Sequence, residues 1–429
     1  MRSLMNNQPQ IFHGEWWVPA MVDRDIRALV SEPKQMMGHE KKYTGTLTFY
    51  EDEDTTLELY NYPSNFHSKH YVQNDVIWGQ DANGHIFTLF NALITQKKGI
   101  DFSTTKFVVG LVLIGEHILS GDDAHFNKCV VQFPYLRNWA FQNKIKGPDI
   151  NLSALHTPSI LLEAQCEEGV CWRLRQYQPV ERTIHDLTIT QTTEFEIETT
   201  KPQSIKSFLT QIEAFSQFLS IALLCDQNCT SIKFVDGNPW NDKVLLYKKE
   251  ASVKPGLFSL IKFDLLKDKL PSMLREWYNK FERVAPITSY LIQSLQRKNS
   301  FEVPDFLIIA QALDGYFKRF EDENYDGKKI YYKEEIELLL NNLKDIDVIK
   351  RCNINAEVLK DSRHKYSHLY PDEKKMKAVE GEDLYWLTEK CKVLLICCIL
   401  KMIGMTNEEI NLCCEKSPIQ DIINAIPLE

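Results

Sequence analysis

The feature that most constrains the fold of this chain is a change of apolar pattern near residue 300. From Val303 onward, apolar residues recur every three or four positions and give little strand signal. Before that point, alternating runs such as 43–50, 56–62 and 187–199 predict strands. The pattern predicts an α+β chain of more than one domain, in which a β-rich part precedes an all-α part.

The proposed domain boundary is the polar run 296–300, just before Pro304. It separates a β-rich domain over residues 1–300 from a helical domain over residues 301–429. Embedded helices are expected in the first domain at about 203–225 and 270–297. The second domain is expected to be a compact bundle of four or five helices, at residues 304–319, 332–343, 354–369, 382–404 and 407–416.

One short motif in this helical part carries candidate chemistry. Arg363 and His368 form the sole arginine–histidine pair at that spacing in the chain, and His364 directly follows the arginine. An arginine can hold a phosphate with two parallel hydrogen bonds and keeps its charge at any working pH. Histidine can both accept and donate a proton near neutral pH. The motif therefore fits RNA cleavage without a metal, although a solvated, positively charged helix end would show the same residues.

Helical geometry constrains how the motif residues are arranged. His364 and His368 are four residues apart and should share a face. The Arg363 side chain leaves the helix about 100° away from His364, so only its long stem could bring the guanidinium toward the same place. Val358, Ser362 and Leu369 are expected near the buried side. Pro371 disfavours helical geometry at the preceding residue, so the motif should occupy the last turns of its helix.

The motif and its surroundings resemble the HEPN superfamily (higher eukaryote and prokaryote nucleotide-binding domains). RNases of that superfamily carry an arginine, a polar residue, three variable residues and a histidine late in a small helical bundle, and residues 363–368 fit each position. The run 311–316 is similar to the first helix of the ApeA-type branch, with Asp314 where glutamate is common. Four segments are similar, in this order along the chain, to the ApeA amino-terminal domain: 14–19, 76–90, 109–117 and 135–139.

The resemblance implies a metal-independent endoribonuclease that acts in abortive-infection defence against phage and needs no cofactor. His368 would remove the 2′-hydroxyl proton, Arg363 would stabilise the phosphoryl charge, and His364 would position RNA or act as the second imidazole. Asp314 would support the site by orienting Arg363 or a histidine. The candidate RNA-binding residues are Lys365, Tyr366 and Lys360.

The same resemblance implies partners. RNA, in particular tRNA, is the expected substrate, and a phage component is a possible trigger sensed by the amino-terminal domain. HEPN RNases generally pair two bundles, so a homodimer or higher homo-oligomer is expected. The alternative is a non-catalytic HEPN protein, either a regulator that binds RNA or nucleotides or a sensor of phage.

Charge and composition limit the other function classes. The net charge of −9 argues against broad, nonspecific coating of nucleic acids. Residues 350–377, however, hold eight basic and four acidic residues, a local charge of +4 around the motif. The sequence lacks a glycine-rich phosphate loop, a dinucleotide-binding fingerprint and a Gly-x-Ser-x-Gly elbow.

The amino terminus, the apolar runs and the 11 cysteines bear on the cellular compartment and on metal binding. No signal-peptide core opens the chain, and the apolar run 393–403 is short and interrupted by Lys401, so we expect a buried helix, no membrane span and a cytoplasmic protein. The cysteines are expected to be reduced. No metal is expected, although a four-thiolate zinc site remains an alternative, formed by Cys166, Cys171, Cys225 and Cys229.

Overall fold

The computed structural model describes fourteen strands and eleven helices. The described residues are 9–19, 41–50, 53–62, 76–98, 104–119, 124–140, 158–165, 169–178, 180–182, 187–235, 242–247, 252–296, 303–322, 329–369 and 377–427. The strands are β1 (Gln10–Trp17), β2 (Tyr43–Phe49), β3 (Thr55–Tyr60), β4 (Val76–Asp81), β5 (Ile86–Lys98), β6 (Thr104–Ile114), β7 (His125–Gln132), β8 (Ser159–Gln165), β9 (Val170–Tyr177), β10 (Val180–Arg182), β11 (Leu187–Ile189), β12 (Thr192–Ser204), β13 (Ser231–Phe234) and β14 (Lys243–Tyr247).

The helices follow mainly in the second half of the chain. They are α1 (Leu136–Trp139), α2 (Ile205–Leu223), α3 (Phe263–Leu266), α4 (Leu270–Gln296), α5 (Val303–Phe320), α6 (Tyr332–Asn342), α7 (Asp347–Cys352), α8 (Ala356–His368), α9 (Gly381–Met402), α10 (Asn407–Cys414) and α11 (Pro418–Ala425). The described strands all precede residue 248, and the described elements beyond it are helices. The predicted α+β fold class, β-rich first and helical afterwards, is confirmed.

The chain divides into two compact units whose segments alternate along the sequence. One unit comprises residues 1–132, 196–209 and 228–251, and the other comprises residues 133–195, 210–227 and 252–429. Residues 297–302 lie outside the described residues, so the boundary expected between residues 300 and 301 stays a prediction.

A closed antiparallel barrel forms the centre of the first unit. Its strands follow the order β3-β2-β1-β4-β5-β6, and β3 pairs with β6 to complete the ring. Side chains alternate between buried and more exposed along β2 and β3, as expected for strands with one face on a core. The buried face fills the interior with large apolar side chains, including Trp16, Leu47, Leu57, Phe87 and Phe107.

The β4–β5 hairpin has the turn that the sequence predicts. Gly84 has a φ of 84°, which glycine adopts at little cost. Asp81 holds the turn because its Oδ1 accepts hydrogen bonds from the backbone N–H groups of Asn83 at 2.9 Å and His85 at 2.8 Å. The turn therefore depends on an aspartate at the end of β4 as well as on the Asn-Gly pair.

Gly79 is a barrel position where an added methyl group would clash with the core. It lies opposite Trp16 in the β1–β4 pairing, and a Cβ there would stand 2.1 Å from Cε3 of the Trp16 ring. We expect Gly79→Ala to lower the free energy of unfolding by about 1–3 kcal/mol or more, because the buried indole must shift. Chemical denaturation measures this loss. Gly256→Ala is the control, since its Cβ would lie 4.0 Å from Cγ of Pro418, an ordinary van der Waals distance. Equal effects of the two substitutions would contradict the packing argument.

The helical part of the second unit positions the motif helix. Helix α5 packs against α4 and α9, while α8 packs against α5 and α6. Residues 391–400 of α9 are all buried, so this apolar helix forms the centre of the bundle. Among the helices of the described segments, none is long and apolar enough to cross a bilayer.

The bundle contains more helices than the four or five that the sequence predicts. Seven described helices follow residue 302, and the additional ones are the short helices α7 and α11. Helix α7 has six residues and ends at Asn353 in a left-handed conformation, with a φ of 44°. Elements this short show too few apolar repeats for a helical period to be recognised.

One cluster of three charged side chains, on α5 and α9, lies inside the bundle. Lys392 on α9 contacts Asp305 on α5 at 3.1 Å and Glu389 on its own helix at 2.7 Å. All three residues are at most 7% exposed. Buried charges persist in proteins when each has an opposite charge at contact distance, and this cluster meets that condition.

Candidate active site

Helix α8 carries the motif and has well-defined ends. At its start, the Asn355 side chain accepts hydrogen bonds from the backbone N–H groups of Glu357 and Val358, which caps the helix. At its end, Leu369 adopts a left-handed conformation with a φ of 53°. The expectation that Leu369 is buried is wrong: it is 86% exposed, because it leaves the helix there instead of continuing its apolar face. Ser362 is fully buried.

The Arg363 side chain turns toward α5 and α6. Its Nη2 donates to Oδ2 of Asp314 at 2.5 Å, and its guanidinium lies over the Tyr332 ring, 4.2 Å from the centroid. The Tyr332 hydroxyl in turn donates to the Ala310 carbonyl at 3.2 Å. An ion pair on one side and a cation–π contact on the other restrict the guanidinium. Its side chain is nevertheless 31% exposed, so part of the group remains open to a ligand.

A second carboxyl group lies beside Asp314. Glu335 on α6 is 4% exposed. Lys318, an exposed residue of α5, contacts Oδ1 of Asp314 at a distance of 2.5 Å. Burial first, and then the negative charge of Asp314, raise the pKa of Glu335 to about 7. Burial also raises the pKa of Tyr332 well above its usual range. The surroundings of Arg363 thus contain two carboxyl groups and, with Arg363 itself, two cations, and one of the carboxyl groups has a pKa raised to about 7.

Sequence reasoning missed Tyr332, Glu335 and Lys318. A signal for two of them existed in the helical spacing. Tyr332 and Glu335 lie four residues before Ile336 and Leu339, respectively, and therefore share the face of α6 that those apolar residues occupy. A glutamate on an apolar helix face is unusual unless it has a partner. The partner, however, belongs to α5, and only the packing of α5 against α6 reveals it.

The two histidines lie on the solvent-exposed face of α8. His364 and His368 are both exposed, and their ring centroids are 4.9 Å apart with the rings inclined at 66°. The structure therefore brings the two imidazoles together, and separately brings Arg363 to Asp314 and Tyr332. The guanidinium is held against α5 and α6 by Asp314 and Tyr332, while the imidazoles are accessible at the end of the same helix.

The three candidate RNA-binding residues all have intramolecular contacts. Lys365 pairs with Glu380, and Lys360 pairs with Glu357 at 2.5 Å and with Asp361 at 3.0 Å. The Tyr366 hydroxyl donates to the Val379 carbonyl at 2.9 Å. The contacts of Lys365 and Tyr366 attach the segment before α9 to α8, whereas those of Lys360 lie within α8. A role for Lys365, Tyr366 and Lys360 in binding RNA stays a prediction, and it would require the lysines to exchange their partners.

The thiols offer little for metal binding. Cys225 and Cys229 are buried, Cys171 is half-buried, and Cys166 lies outside the described residues. Burial raises the pKa of Cys225 to about 11, which disfavours the thiolate that zinc requires. Within the described segments, no group of three or more histidine, cysteine, aspartate or glutamate side chains could hold a metal ion.

Two protein-family models match the chain. The model described as ApeA N-terminal domain 1 matches residues 11–277, which is more than half of the chain. The model described as Apea-like HEPN matches residues 332–409. The second match includes Tyr332, Glu335 and the whole motif, whereas Asp314 on α5 lies before it. No curated protein and no solved structure matches the chain significantly.

Proposed function

The chain belongs to the ApeA family, with an ApeA amino-terminal domain followed by an Apea-like HEPN domain, and from this premise we propose that it is a metal-independent endoribonuclease. HEPN domains of the ApeA type imply a nuclease-like role in abortive infection. The observation that carries the proposal is the arrangement on α8: a partly open guanidinium held by Asp314 and Tyr332, close in sequence to two exposed imidazoles in contact.

The proposed reaction is an internal transfer at phosphorus. His368 takes the proton from an RNA 2′-hydroxyl, and the oxygen attacks the adjacent phosphorus. The bond from phosphorus to the 5′-oxygen breaks, and a second imidazole, for which His364 is the candidate, protonates that leaving oxygen. The products are a 2′,3′-cyclic phosphate and a 5′-hydroxyl. DNA lacks the 2′-hydroxyl and should not be cleaved.

Arg363 supplies the electrostatic part of this reaction. Negative charge grows on the phosphoryl oxygens as the new bond forms, and a fixed cation stabilises that charge without having to reorganise. The contacts with Asp314 and Tyr332 favour this role because they fix the guanidinium before RNA arrives. Asp314 is accordingly proposed as a positioning residue.

The partners follow from the same premise. We propose tRNA as the substrate and a phage component as the trigger that the amino-terminal domain senses. A homodimer is part of the proposal, because His364 and His368 are exposed and a second bundle could face them across a shared cleft.

The test is incubation of the purified full-length protein with total bacterial RNA in EDTA, beside an Arg363→Ala variant. We expect new fragments that end in 2′,3′-cyclic phosphate, and we expect the variant to produce none. If neither uninfected nor phage-infected extract supports cleavage by the wild-type protein, the enzymatic proposal is wrong. A non-catalytic RNA-binding regulator would then be the better description.

Replacing Asp314 should separate catalysis from binding. We expect Asp314→Asn to lower kcat by about tenfold to hundredfold, because Arg363 loses the partner that fixes it. RNA affinity should stay equal or increase, because the pocket loses a negative charge. Single-turnover cleavage and filter binding measure the two effects. Asp322→Asn, at an exposed carboxylate just beyond α5, is the control, and a parallel loss of affinity would contradict a positioning role.

A further inference from the structure

Glu335 is the buried titratable group beside Arg363 that the proposed reaction does not use. It is 4% exposed, and its Oε2 is buried without a hydrogen-bond partner among the described residues. After burial, the negative charge of Asp314 contributes most to the raised pKa of Glu335, and a hydrogen bond between the two carboxyl groups adds to it, so the two groups are neighbours. Two carboxyl groups in this relation need one proton between them, because two carboxylates repel and neither can donate.

The charged surroundings decide which of the two acids carries the proton. From α5, Glu335 meets Asp314 and Lys318, and from α8 it meets Arg363; Tyr332 lies on its own helix. Both cations contact Asp314 directly, at 2.5 Å each, and neither forms an ion pair with Glu335 in the described part of the chain. Glu335 has the buried oxygen without a donor, which favours its neutral form. The proton therefore belongs on Glu335.

That proton changes the net charge of the pocket. With Glu335 neutral, Arg363 and Lys318 exceed Asp314 by one positive charge. With Glu335 ionised, the four groups sum to zero. A phosphate approaching Arg363 thus meets a positive pocket in one state and a neutral pocket in the other.

We propose, building on the function proposed above, that Glu335 is a positioning residue of the RNase site: as a neutral acid it donates its proton to Asp314, which fixes Asp314 against Arg363 and leaves the pocket net positive. The contact orients the acceptor of the Arg363 ion pair and does not itself touch RNA. The consequence is that RNA binding at the site weakens as Glu335 loses its proton at higher pH, independently of the histidines.

The first test needs no RNA. The folded protein keeps the proton of Glu335 at a pH where an unfolded glutamate has lost it, so the wild-type chain loses stability as the pH rises from about 5 to about 7. Glu335→Gln keeps a hydrogen-bond donor but cannot ionise. We expect its melting temperature to equal that of the wild type near pH 5 and to exceed it by several degrees near pH 8. Glu337→Gln, at an exposed position of α6, should show no such trend.

The second test uses cleavage. The ratio of the wild-type KM for RNA to that of Glu335→Gln should be near one at pH 6 and rise roughly fivefold by pH 8.5, because one unit of pocket charge is lost only in the wild type. Both proteins keep His364 and His368, so the ratio isolates the contribution of residue 335. If Glu335→Gln fails to fold, Glu335→Met supplies a neutral side chain of similar length for both measurements.

The two tests fail separately. Identical pH dependence of melting in the wild type, Glu335→Gln and Glu337→Gln would overturn the shared proton, whether or not RNA is cleaved. A melting trend with a constant KM ratio would overturn the role in the site while leaving the proton in place. If the wild type cleaves no RNA, the proposed function and the role in that site fail together, and the melting trend still decides the shared proton.

Discussion

His368→Ala is expected to abolish cleavage of RNA, with a rate loss of about 10³-fold, while RNA affinity stays within about tenfold. The reason is that His368 is the proposed base, and removal of a proton-transfer group raises the barrier without removing the phosphate contacts. The imidazole is exposed, so its loss leaves the bundle core intact. Single-turnover cleavage in EDTA and toxicity during expression measure the effect.

Ser367→Ala is the matched control for this variant, because Ser367 is also exposed and precedes His368 on the same turn of α8. A His368→Ala protein that still cleaves RNA would show that the base is another group. A variant that loses cleavage and affinity together would instead assign His368 to binding. An unchanged biological effect with no cleavage in either protein would support the non-catalytic alternative.

Lys392→Met is expected to cause the largest loss of stability, about 3–5 kcal/mol in the free energy of unfolding. Removal of this lysine leaves Asp305 and Glu389 in the bundle interior without the cation that both contact. Uncompensated buried charge is far more costly than the loss of a surface ion pair. Equilibrium unfolding in urea measures the difference.

Lys390→Met is the control, since Lys390 lies on the same helix but is only half-buried. A triple variant with Asp305→Leu, Glu389→Leu and Lys392→Met should regain much of the stability, because replacing a whole buried ion cluster by apolar groups is often neutral or stabilising. A loss in Lys392→Met no greater than in Lys390→Met would contradict the buried cluster.

The resemblance stated from the sequence is confirmed by the two family models, and most regular elements are where their patterns predict. The alternation in 43–50 and 56–62 corresponds to β2 and β3, and the Asn-Gly pair marks the β4–β5 turn. These signals are local: side-chain periodicity and turn chemistry depend on neighbouring residues alone. Short helices such as α7 were not predicted for the same reason, because six residues contain too few apolar repeats to show a helical period.

Closure of the barrel was not predictable in this way. Alternation shows which face of a strand is buried but not which strand lies beside it. The pairing of β3 with β6, in which Thr55 lies opposite Val109, joins residues far apart in the sequence. Such a contact is stable only when all the other strand pairings of the barrel are compatible with it.

The sequence by itself determined the α+β order, the motif helix and the residue types able to move a proton and hold a phosphate. Tertiary structure alone decided that Arg363 turns inward to Asp314 and Tyr332 while His364 and His368 remain exposed. It also decided that Glu335 lies beside Asp314. The physical reason is that periodicity places a side chain on a face of its own helix. The charge, the dielectric environment and the partner that it meets there come from the helices packed against that face.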